Sequence, residues 1–212
     1  MSATVTIVDY DCGNLLSVSR AVEYCGGEVE LAHEPDRISG AQRLILPGVG
    51  AFGRTLSVLE ERGQVEAVRN FVSSGRPFLG ICVGMQAMMN YSEEFGRHEG
   101  FGFIDGKVSP IPTTGADGEP HPVPHIGWSA LIQPDQGWDH TPLHGLKDGT
   151  AVYFVHSYAA EPSDPADIVA TCAYDGRSIT AVVARDNMMG CQFHPEKSGP
   201  AGLRIIQNFL AN

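Results

Sequence analysis

The sequence lacks the features that identify membrane, secreted and nucleic-acid-binding proteins. None of its apolar runs approaches the ~20 residues that a membrane-spanning helix requires. Residues 1–14 have no basic segment before their short apolar stretch, so we interpret them as a first strand and not as a signal peptide. The formal net charge is −11 and Lys and Arg are never clustered, whereas phosphate contacts require clustered positive charge. We therefore expect a cytoplasmic protein that binds neither membrane nor nucleic acid.

Cysteine is scarce and scattered along the chain. The five cysteines are odd in number and include no C-x-x-C pair: Cys12, Cys25, Cys82, Cys172 and Cys191. This pattern fits neither a disulfide framework nor a zinc ribbon, and we predict no metal site and no cofactor. A buried free thiol is the ordinary interpretation of each cysteine. The surroundings of Cys82 favour a different one.

The first half of the chain predicts an α/β fold. The apolar runs 4–9, 43–46 and 77–81 are dense in Val, Ile and Leu, which is typical of strands buried on both faces. Helical spacing occupies 14–25 and 52–74, the second with a break near Gly63. Alternating strands and helices indicate a parallel sheet with helices on both faces.

The second half predicts further strands in the same domain, which we place at 1–212. Strand-like runs occur at 107–111, 125–132, 151–158, 168–174, 178–185 and 188–193. The tract 112–124 is rich in Pro and Gly and indicates an exposed loop. A last helix is expected over 201–210. We interpret these strands as an antiparallel or mixed extension of the sheet.

Cys82 lies in a motif that favours catalysis. The segment 80–84, GICVG, follows an apolar strand and opens a predicted helix, in the G-x-nucleophile-x-G form of a strand-to-helix elbow. The glycines are needed because side chains two positions from the nucleophile would collide with neighbouring backbone. The helix amino terminus favours a thiolate, and the Val83 N–H is expected to face an oxyanion. The competing interpretation is a buried cysteine in a glycine-flanked turn.

A second motif near the carboxyl terminus offers the partners that a cysteine nucleophile needs. His194 and Glu196, separated by Pro195, provide an imidazole and a carboxylate that sets its tautomer. Alone, the same residues are typical of a solvated turn, and a metal would lack a third nearby ligand. With the elbow, they predict a triad of Cys82, His194 and Glu196.

The two motifs together resemble those of class I glutamine amidotransferases. Six segments in order along nearly the whole chain resemble the glutaminase subunits of imidazole glycerol phosphate synthase: 9–15, 46–52, 80–86, 125–128, 153–158 and 192–198. The resemblance implies a flavodoxin-like, three-layer α/β domain with a parallel or mixed central sheet and an antiparallel strand extension. It implies hydrolysis of glutamine through a thioester on Cys82. It also implies that ammonia passes to a partner, the (β/α)₈ barrel cyclase subunit of that synthase, in histidine biosynthesis.

The resemblance also assigns roles to individual residues. Oxyanion donors are implied at Val49, Gly50 and Val83, in loops whose glycines permit a peptide flip. The implied substrate ligands are Gln86, Glu94, His156, Ser157 and Tyr158, and the implied partner-facing residues are Trp128, Tyr153 and Lys197. Simpler interpretations remain for some of them: a solvated charge for Glu94 and Lys197, and ordinary core packing for the aromatic strand residues.

The sequence departs from the family pattern at four positions outside the triad. Asp11 and Asp175 replace Gly, Ser129 replaces Asn, and Ser178 replaces Phe. These changes bear on docking and coupling rather than on glutamine hydrolysis. Three alternative functions stay open: a glutaminase subunit that serves pyridoxal phosphate synthesis, an inactive scaffold that regulates a barrel partner, and a γ-glutamyl peptidase. We expect low activity without a partner, because the Pro47–Gly50 loop is able to flip.

Overall fold

The computed structural model describes residues 3–11, 13–135, 137–139 and 141–211. Cys12, which belongs to the first of the six segments, lies outside the described residues. The helices are α1 (Leu15–Tyr24), α2 (Pro35–Gly40), α3 (Phe52–Glu61), α4 (Gln64–Ser73), α5 (Val83–Gln86) and α6 (Gly199–Ala211). Single 3₁₀ turns occupy Pro165–Asp167 and Pro195–Lys197. None of the helices in the described part of the chain is long and apolar enough to cross a membrane.

The strands form two sheets. In chain order they are β1 (Thr4–Val8), β2 (Glu28–Ala32), β3 (Leu44–Leu46), β4 (Phe78–Ile81), β5 (Tyr91–Ser92), β6 (His98–Glu99), β7 (Gly106–Pro110), β8 (His125–Ile132), β9 (Ala151–His156), β10 (Tyr158–Pro162), β11 (Ile168–Tyr174), β12 (Arg177–Arg185) and β13 (Met188–Cys191). The larger sheet has the order β2-β1-β3-β4-β13-β12-β11-β8-β9, and the smaller has β10-β7-β5-β6.

The larger sheet changes from parallel to antiparallel at β13. Strands β2, β1, β3, β4 and β13 pair in parallel. Beyond β13, every neighbouring pair up to β8 and β9 is antiparallel. This arrangement confirms the predicted parallel sheet with an antiparallel extension.

Helices cover both faces of the parallel strands, as the apolar pattern predicted. Val5 and Ile7 of β1 belong to a core that includes Val22 of α1 and Ile206 of α6. Val8, which points to the opposite face, belongs to a second core that also contains buried residues of α2, α3 and α4. Because each face buries its own apolar set, the sheet lies between two helical layers and its strand ends remain available for a site.

The structure corrects several predicted elements. The predicted strand 151–158 is two strands in different sheets, because β9 ends at His156 and β10 begins at Tyr158. Strand β2 and helix α2 were not predicted; β2 is a partly exposed strand at the end of the sheet and lacks a dense apolar run. The helix after Cys82 has only four residues, because Met88 and Met89 donate to carbonyls three residues back, which ends the helix in tight turns.

Helix α6 packs tightly on the turn Pro195–Lys197 through Gly202. A Cβ atom at Gly202 would lie 1.8 Å from the Pro195 carbonyl oxygen. We therefore expect Gly202→Ala to lower the free energy of unfolding by about 1–3 kcal/mol, the usual cost of overpacking. Gly40→Ala is the control, because nothing lies within 4 Å of a Cβ there. Urea unfolding of both variants checks this expectation, and equal stability of the two would contradict the packing described here.

Candidate active site

Cys82 sits in a strained turn at the carboxyl end of β4. Its φ and ψ are 53° and −108°, a conformation that non-glycine residues adopt rarely and mostly at functional sites. Cβ atoms at Gly80 and Gly84 would lie 2.6 Å from the Gly84 carbonyl oxygen and 1.9 Å from that of Leu46, respectively. The two glycines are therefore required by backbone contacts, as the elbow motif predicted. The Cys82 N–H donates to the Cys191 carbonyl at 2.7 Å, which fixes the turn to β13.

His194 follows β13, the strand next to β4, and its imidazole is held by Glu196. Nδ1 of His194 lies 2.8 Å from Oε1 of Glu196, and the two side chains are 1% and 0% exposed. The same oxygen accepts a hydrogen bond from Nδ2 of Asn14 at 3.1 Å. Because Nδ1 donates its proton to the Glu196 carboxylate, Nε2 is the ring nitrogen that is available for proton transfer.

Three buried atoms at this triad lack hydrogen-bond partners among the described residues. They are Nε2 of His194, Oε2 of Glu196 and Oδ1 of Asn14. Buried polar atoms are almost always paired in folded proteins, so this group of atoms is unusual, and Nε2 of His194 is the nitrogen available for proton transfer. Although Nε2 makes no hydrogen bond of ordinary geometry, it lies close enough to Cys82 for that side chain to influence its protonation.

His194 is poised to be protonated at neutral pH. Burial disfavours the imidazolium, but the interactions with Cys82 and Glu196 outweigh burial and raise the pKa of His194 to about 9, from 6.5. His156, in the same cavity, behaves in the opposite way. Burial lowers the pKa of His156 to about 4, so His156 is a neutral hydrogen-bonding group at pH 7.

A cavity of about 270 Å³ connects the elbow to the histidines. It is lined by Val49, Gly50, Cys82, Val83, Gln86, Glu94, Pro124, Val155, His156, Ser157, Tyr158 and His194. All the residues that the sequence assigned to the triad, the oxyanion site and the substrate meet here, apart from Glu196, which lies behind His194. Their individual roles remain predictions. A larger cleft of about 1080 Å³ is lined by residues of the opposite strand ends, such as Phe78 and Met188, and the lining includes no cysteine; we therefore place the chemistry in the smaller cavity.

The amide side chains of Gln86 and Gln192 link the sulfur to the far wall of the cavity. Nε2 of Gln192 lies 3.7 Å from Sγ of Cys82. Nε2 of Gln86 donates to Oε1 of Gln192 at 3.1 Å and to the carbonyl of Tyr158 at 2.9 Å. Gln86 follows Cys82 by one helical turn, and its N–H donates to the Cys82 carbonyl.

Glu94 is not the freely solvated charge of the simpler interpretation. Its carboxylate accepts a hydrogen bond from the N–H of Phe52, the first residue of α3. A carboxylate at this position compensates the unpaired amides of a helix amino terminus. Glu94 therefore fixes the end of the loop that contains Val49 and Gly50, and it also lines the cavity.

The predicted partner-facing residues lie outside the cavity: Trp128 is on β8, Tyr153 is on β9, and Lys197 is the last residue of the turn Pro195–Lys197. Trp128 is 58% exposed, pairs in register with the half-buried Tyr153, and meets its ring at 6.0 Å. Lys197 is exposed. Ile126, on the same face as Trp128, is also 58% exposed. An exposed apolar face of this kind marks interaction sites.

Sequence reasoning missed three residues that organise the site. Asn14 bonds Glu196, Gln192 approaches Cys82, and the hydroxyl of Ser198 donates to the carbonyl of His194 at 2.7 Å. All three lie in segments that carried the family resemblance. Short motifs locate such residues but do not reveal contacts between segments 182 positions apart, such as Asn14 and Glu196.

The raised pKa of His194 gives a testable pH dependence. We expect NMR titration of the folded chain to show a His194 pKa near 9, and Glu196→Gln to lower the pKa because burial then has less opposition. Since the folded pKa lies above the unfolded value, His194 contributes stability that is complete below pH 6.5 and is lost as the pH rises through about 9. His194→Asn should flatten this loss. A His194 pKa at or below 6.5 would contradict the described triad.

Comparison with known proteins agrees with this geometry. Residues 6–212 match the family described as glutamine amidotransferase class-I. The imidazole glycerol phosphate synthase subunit HisH 1 of Legionella pneumophila strain Lens is 50% identical over 210 residues, which cover 98% of this chain and 99% of the relative. The HisH subunit of Rhodopirellula baltica is 44% identical over 205 residues, 97% of this chain and 96% of the relative.

Solved structures confirm the flavodoxin-like fold. The structure of PurLQS from Thermotoga maritima superposes with a TM-score of 0.76 at 20% identity, and the match covers 100% of this chain and 99% of that chain. A structure described as a glutamine amidotransferase matches with a TM-score of 0.72 at 18% identity, covering 97% of each chain. At these identities the likeness concerns the fold alone. The family match and the HisH relatives go further: this chain belongs to the class I glutamine amidotransferase family.

Proposed function

We propose that the chain, as a single domain over 1–212, is the glutaminase subunit of imidazole glycerol phosphate synthase. It hydrolyses glutamine to glutamate and ammonia and supplies the ammonia to a cyclase partner in histidine biosynthesis. The observation that carries the proposal is the unpaired Nε2 of His194, buried beside Cys82 while Nδ1 is held by Glu196. Cys25, Cys82, Cys172 and Cys191 are free thiols, which supports a reducing, cytoplasmic location.

The first half of the reaction forms a thioester. The Cys82 thiolate attacks the side-chain amide carbon of glutamine, and the carbonyl oxygen becomes an oxyanion. The carbon–nitrogen bond then breaks, and the leaving nitrogen takes a proton from Nε2 of His194, so that ammonia departs. A protonated His194 at neutral pH suits this acid step.

The second half releases glutamate. Water attacks the thioester carbon while the now neutral His194 takes one of its protons at Nε2. The carbon–sulfur bond breaks, glutamate leaves, and the thiolate–imidazolium pair is restored. Glu196 keeps the imidazole oriented through both steps, because its carboxylate holds Nδ1 at 2.8 Å.

Backbone amides near Cys82 stabilise the oxyanion in this proposal. The Val83 N–H belongs to the first turn of α5, where helical amides have no intrahelical acceptor. Val49 and Gly50 line the same cavity from the loop after β3. Gly50 has a φ of 100°, a conformation that glycine adopts at little cost. The loop therefore has the freedom to turn an amide toward the oxygen when substrate or a partner is bound.

The exposed Trp128 and the half-buried Tyr153 beside it form the proposed docking surface for the cyclase barrel. This surface is connected to His194 through the backbone, because the carbonyl of Tyr153 accepts a hydrogen bond from the His194 N–H at 3.1 Å. The Tyr153 N–H in turn donates to Oγ of Ser198 at 3.0 Å. A partner that moves β9 therefore moves the backbone of His194.

Glutamate release tests the proposal directly. We expect the chain with its cyclase and a nucleotide ligand to hydrolyse glutamine, and the chain alone to be nearly inactive. Cys82→Ser should reduce the rate by about 10³-fold or more, because the nucleophile is lost. Cys25→Ser is the matched control, since Cys25 is a half-buried thiol at the end of α1.

The alternatives give different results in the same assay. Hydrolysis of γ-glutamyl peptides in preference to free glutamine would favour a peptidase. Activation by a pyridoxal phosphate synthase barrel rather than by the cyclase would favour the other glutaminase. If the folded complex releases no glutamate, the chain is an inactive scaffold and the proposal is wrong.

Asn14 supplies a second test, because its amide holds Glu196 rather than substrate. Losing a hydrogen bond to a charged, buried group costs about 1.5–3 kcal/mol. If that cost falls on the transition state, Asn14→Ala should reduce kcat by about 10- to 100-fold. Asn208→Ala is the control, because its amide likewise donates hydrogen bonds, in this case to the backbone carbonyls of Pro142 and His144 on another part of the fold. Equal kinetics for the two variants would exclude a role for Asn14 in positioning the triad.

A further inference from the structure

Two buried histidines form a hydrogen-bonded pair, and one of them, His156, lines the active-site cavity. Nδ1 of His125 lies 3.0 Å from Nε2 of His156, and both residues are nearly inaccessible to solvent. His125 is on β8 and His156 is directly opposite on β9. Neither imidazole takes part in the mechanism proposed above, and buried polar rings of this kind are retained only when their hydrogen bonds are satisfied.

The direction of every hydrogen bond in the pair follows from one backbone carbonyl. Nδ1 of His156 lies 2.8 Å from the Tyr158 carbonyl oxygen, which only accepts, so this nitrogen carries the proton. Nε2 of neutral His156 is then an acceptor, and Nδ1 of His125 must donate to it. Nε2 of His125 is left as an acceptor for the hydroxyl of Ser129, 2.8 Å away. The relay therefore runs from Ser129 through His125 and His156 to Tyr158.

Aromatic packing holds His125 in this orientation. Its ring is stacked between Phe154, with centroids 4.8 Å apart, and Tyr174, with centroids 4.1 Å apart. The hydroxyl of Tyr174 donates to the Pro122 carbonyl at 2.6 Å, which keeps Tyr174 in place. The imidazole therefore has little freedom to rotate, and the proton positions are fixed together with the ring.

The relay ends at the backbone that lines the cavity. The Tyr158 carbonyl accepts both the His156 bond and a bond from Gln86, and Gln86 continues through Gln192 toward Sγ of Cys82. Ser157, between His156 and Tyr158, lines the cavity and connects β9 to β10. Because hydrogen bonds hold both His156 and Tyr158, the backbone amide and carbonyl of Ser157 between them are held in place as well.

At its other end, the relay reaches β8, the strand on which the Trp128 side chain is exposed. Ser129 is the inward-pointing neighbour of the exposed Trp128 on β8, and it pairs with Val152 of β9. Alternate strand residues point to opposite faces. The exposed Trp128 side chain and the Ser129 hydroxyl that contacts His125 therefore project from adjacent residues, on opposite faces of β8.

We propose that Ser129 and His125 are positioning residues that fix the 156–158 segment for the α-amino and α-carboxylate groups of the substrate. They act through His156 and contact no substrate themselves. The identity of these substrate groups rests on the proposed glutaminase function. The hydrogen bonds of the relay do not depend on that activity. The family resemblance implies asparagine at position 129, whereas the relay described here ends on the Ser129 hydroxyl.

The relay has a spectroscopic signature. In ¹⁵N NMR at pH 7, we expect His125 and His156 both to be neutral with the proton on Nδ1, the less common tautomer of free imidazole. Ser129→Ala should move the Nε2 resonance of His125 toward that of a nitrogen without a hydrogen bond, and Ser129→Thr should restore it. A proton on Nε2 of either ring, a cationic ring, or an unchanged His125 resonance in Ser129→Ala would overturn the relay.

Kinetics of the complex with the cyclase test the positioning role. Loss of one hydrogen bond in the relay should raise KM for glutamine about 2- to 10-fold, with a smaller change in kcat. Ser129→Thr should recover most of the loss. Ser39→Ala is the matched control, because Ser39 is also half-buried and donates to a backbone carbonyl, in α2. An unchanged KM in Ser129→Ala would overturn the positioning role, whereas a wild-type complex that releases no glutamate would instead overturn the proposed function and leave the NMR result standing.

Discussion

The arrangement of the site depends on a close backbone approach between the ends of β3 and β4. A Cβ atom on Gly84 would lie 1.9 Å from the Leu46 carbonyl oxygen, and one on Gly48 would lie 2.8 Å from Cβ of Val83. This contact presses the 47–50 loop against the turn that holds Cys82. Strand β13 flanks β4 on the other side and ends just before His194. The carboxyl ends of three adjacent parallel strands thus bring the sulfur, the 47–50 loop and the imidazole together, as expected for open α/β sheets.

The parts of the site that follow local rules were predictable from the sequence. The elbow glycines and the His-Pro-Glu turn belong to short motifs of neighbouring residues, although the contact that requires Gly84 is made with the distant Leu46. Contacts between distant segments were not predictable in this way. Asn14 reaches Glu196 across 182 positions, and the His125–His156 pair depends on the register of β8 and β9. The break at Ser157 was missed because the apolar pattern continues through it although the chain changes sheets.

Two aspartates stand at positions where the family resemblance implies glycine, and each combines a less favourable backbone conformation with a side-chain contact. Asp11 and Asp175 have φ values of 65° and 44°, in a region that glycine occupies more easily and aspartate tolerates. Asp11 pairs with Arg62, and its N–H donates to the carboxylate of Asp9 at 3.0 Å. Asp175 contacts Nδ1 of His121 at 2.9 Å and so attaches the 112–124 loop to the β11–β12 turn. At both positions, a side-chain contact accompanies a backbone conformation that is less favourable for aspartate than for glycine. The structure gives no reason for the serine at position 178, which is exposed.

The proposed function depends on attack by Sγ of Cys82 on the side-chain amide carbon of glutamine. The most direct measurement is covalent labelling of the cyclase complex with a glutamine analogue that carries a diazoketone in place of the amide, followed by peptide mass spectrometry. We expect one adduct, on Cys82, formed with loss of dinitrogen and slowed both by free glutamine and by His194→Asn. Labelling of Cys25 at a similar rate, or no protection by glutamine, would contradict it.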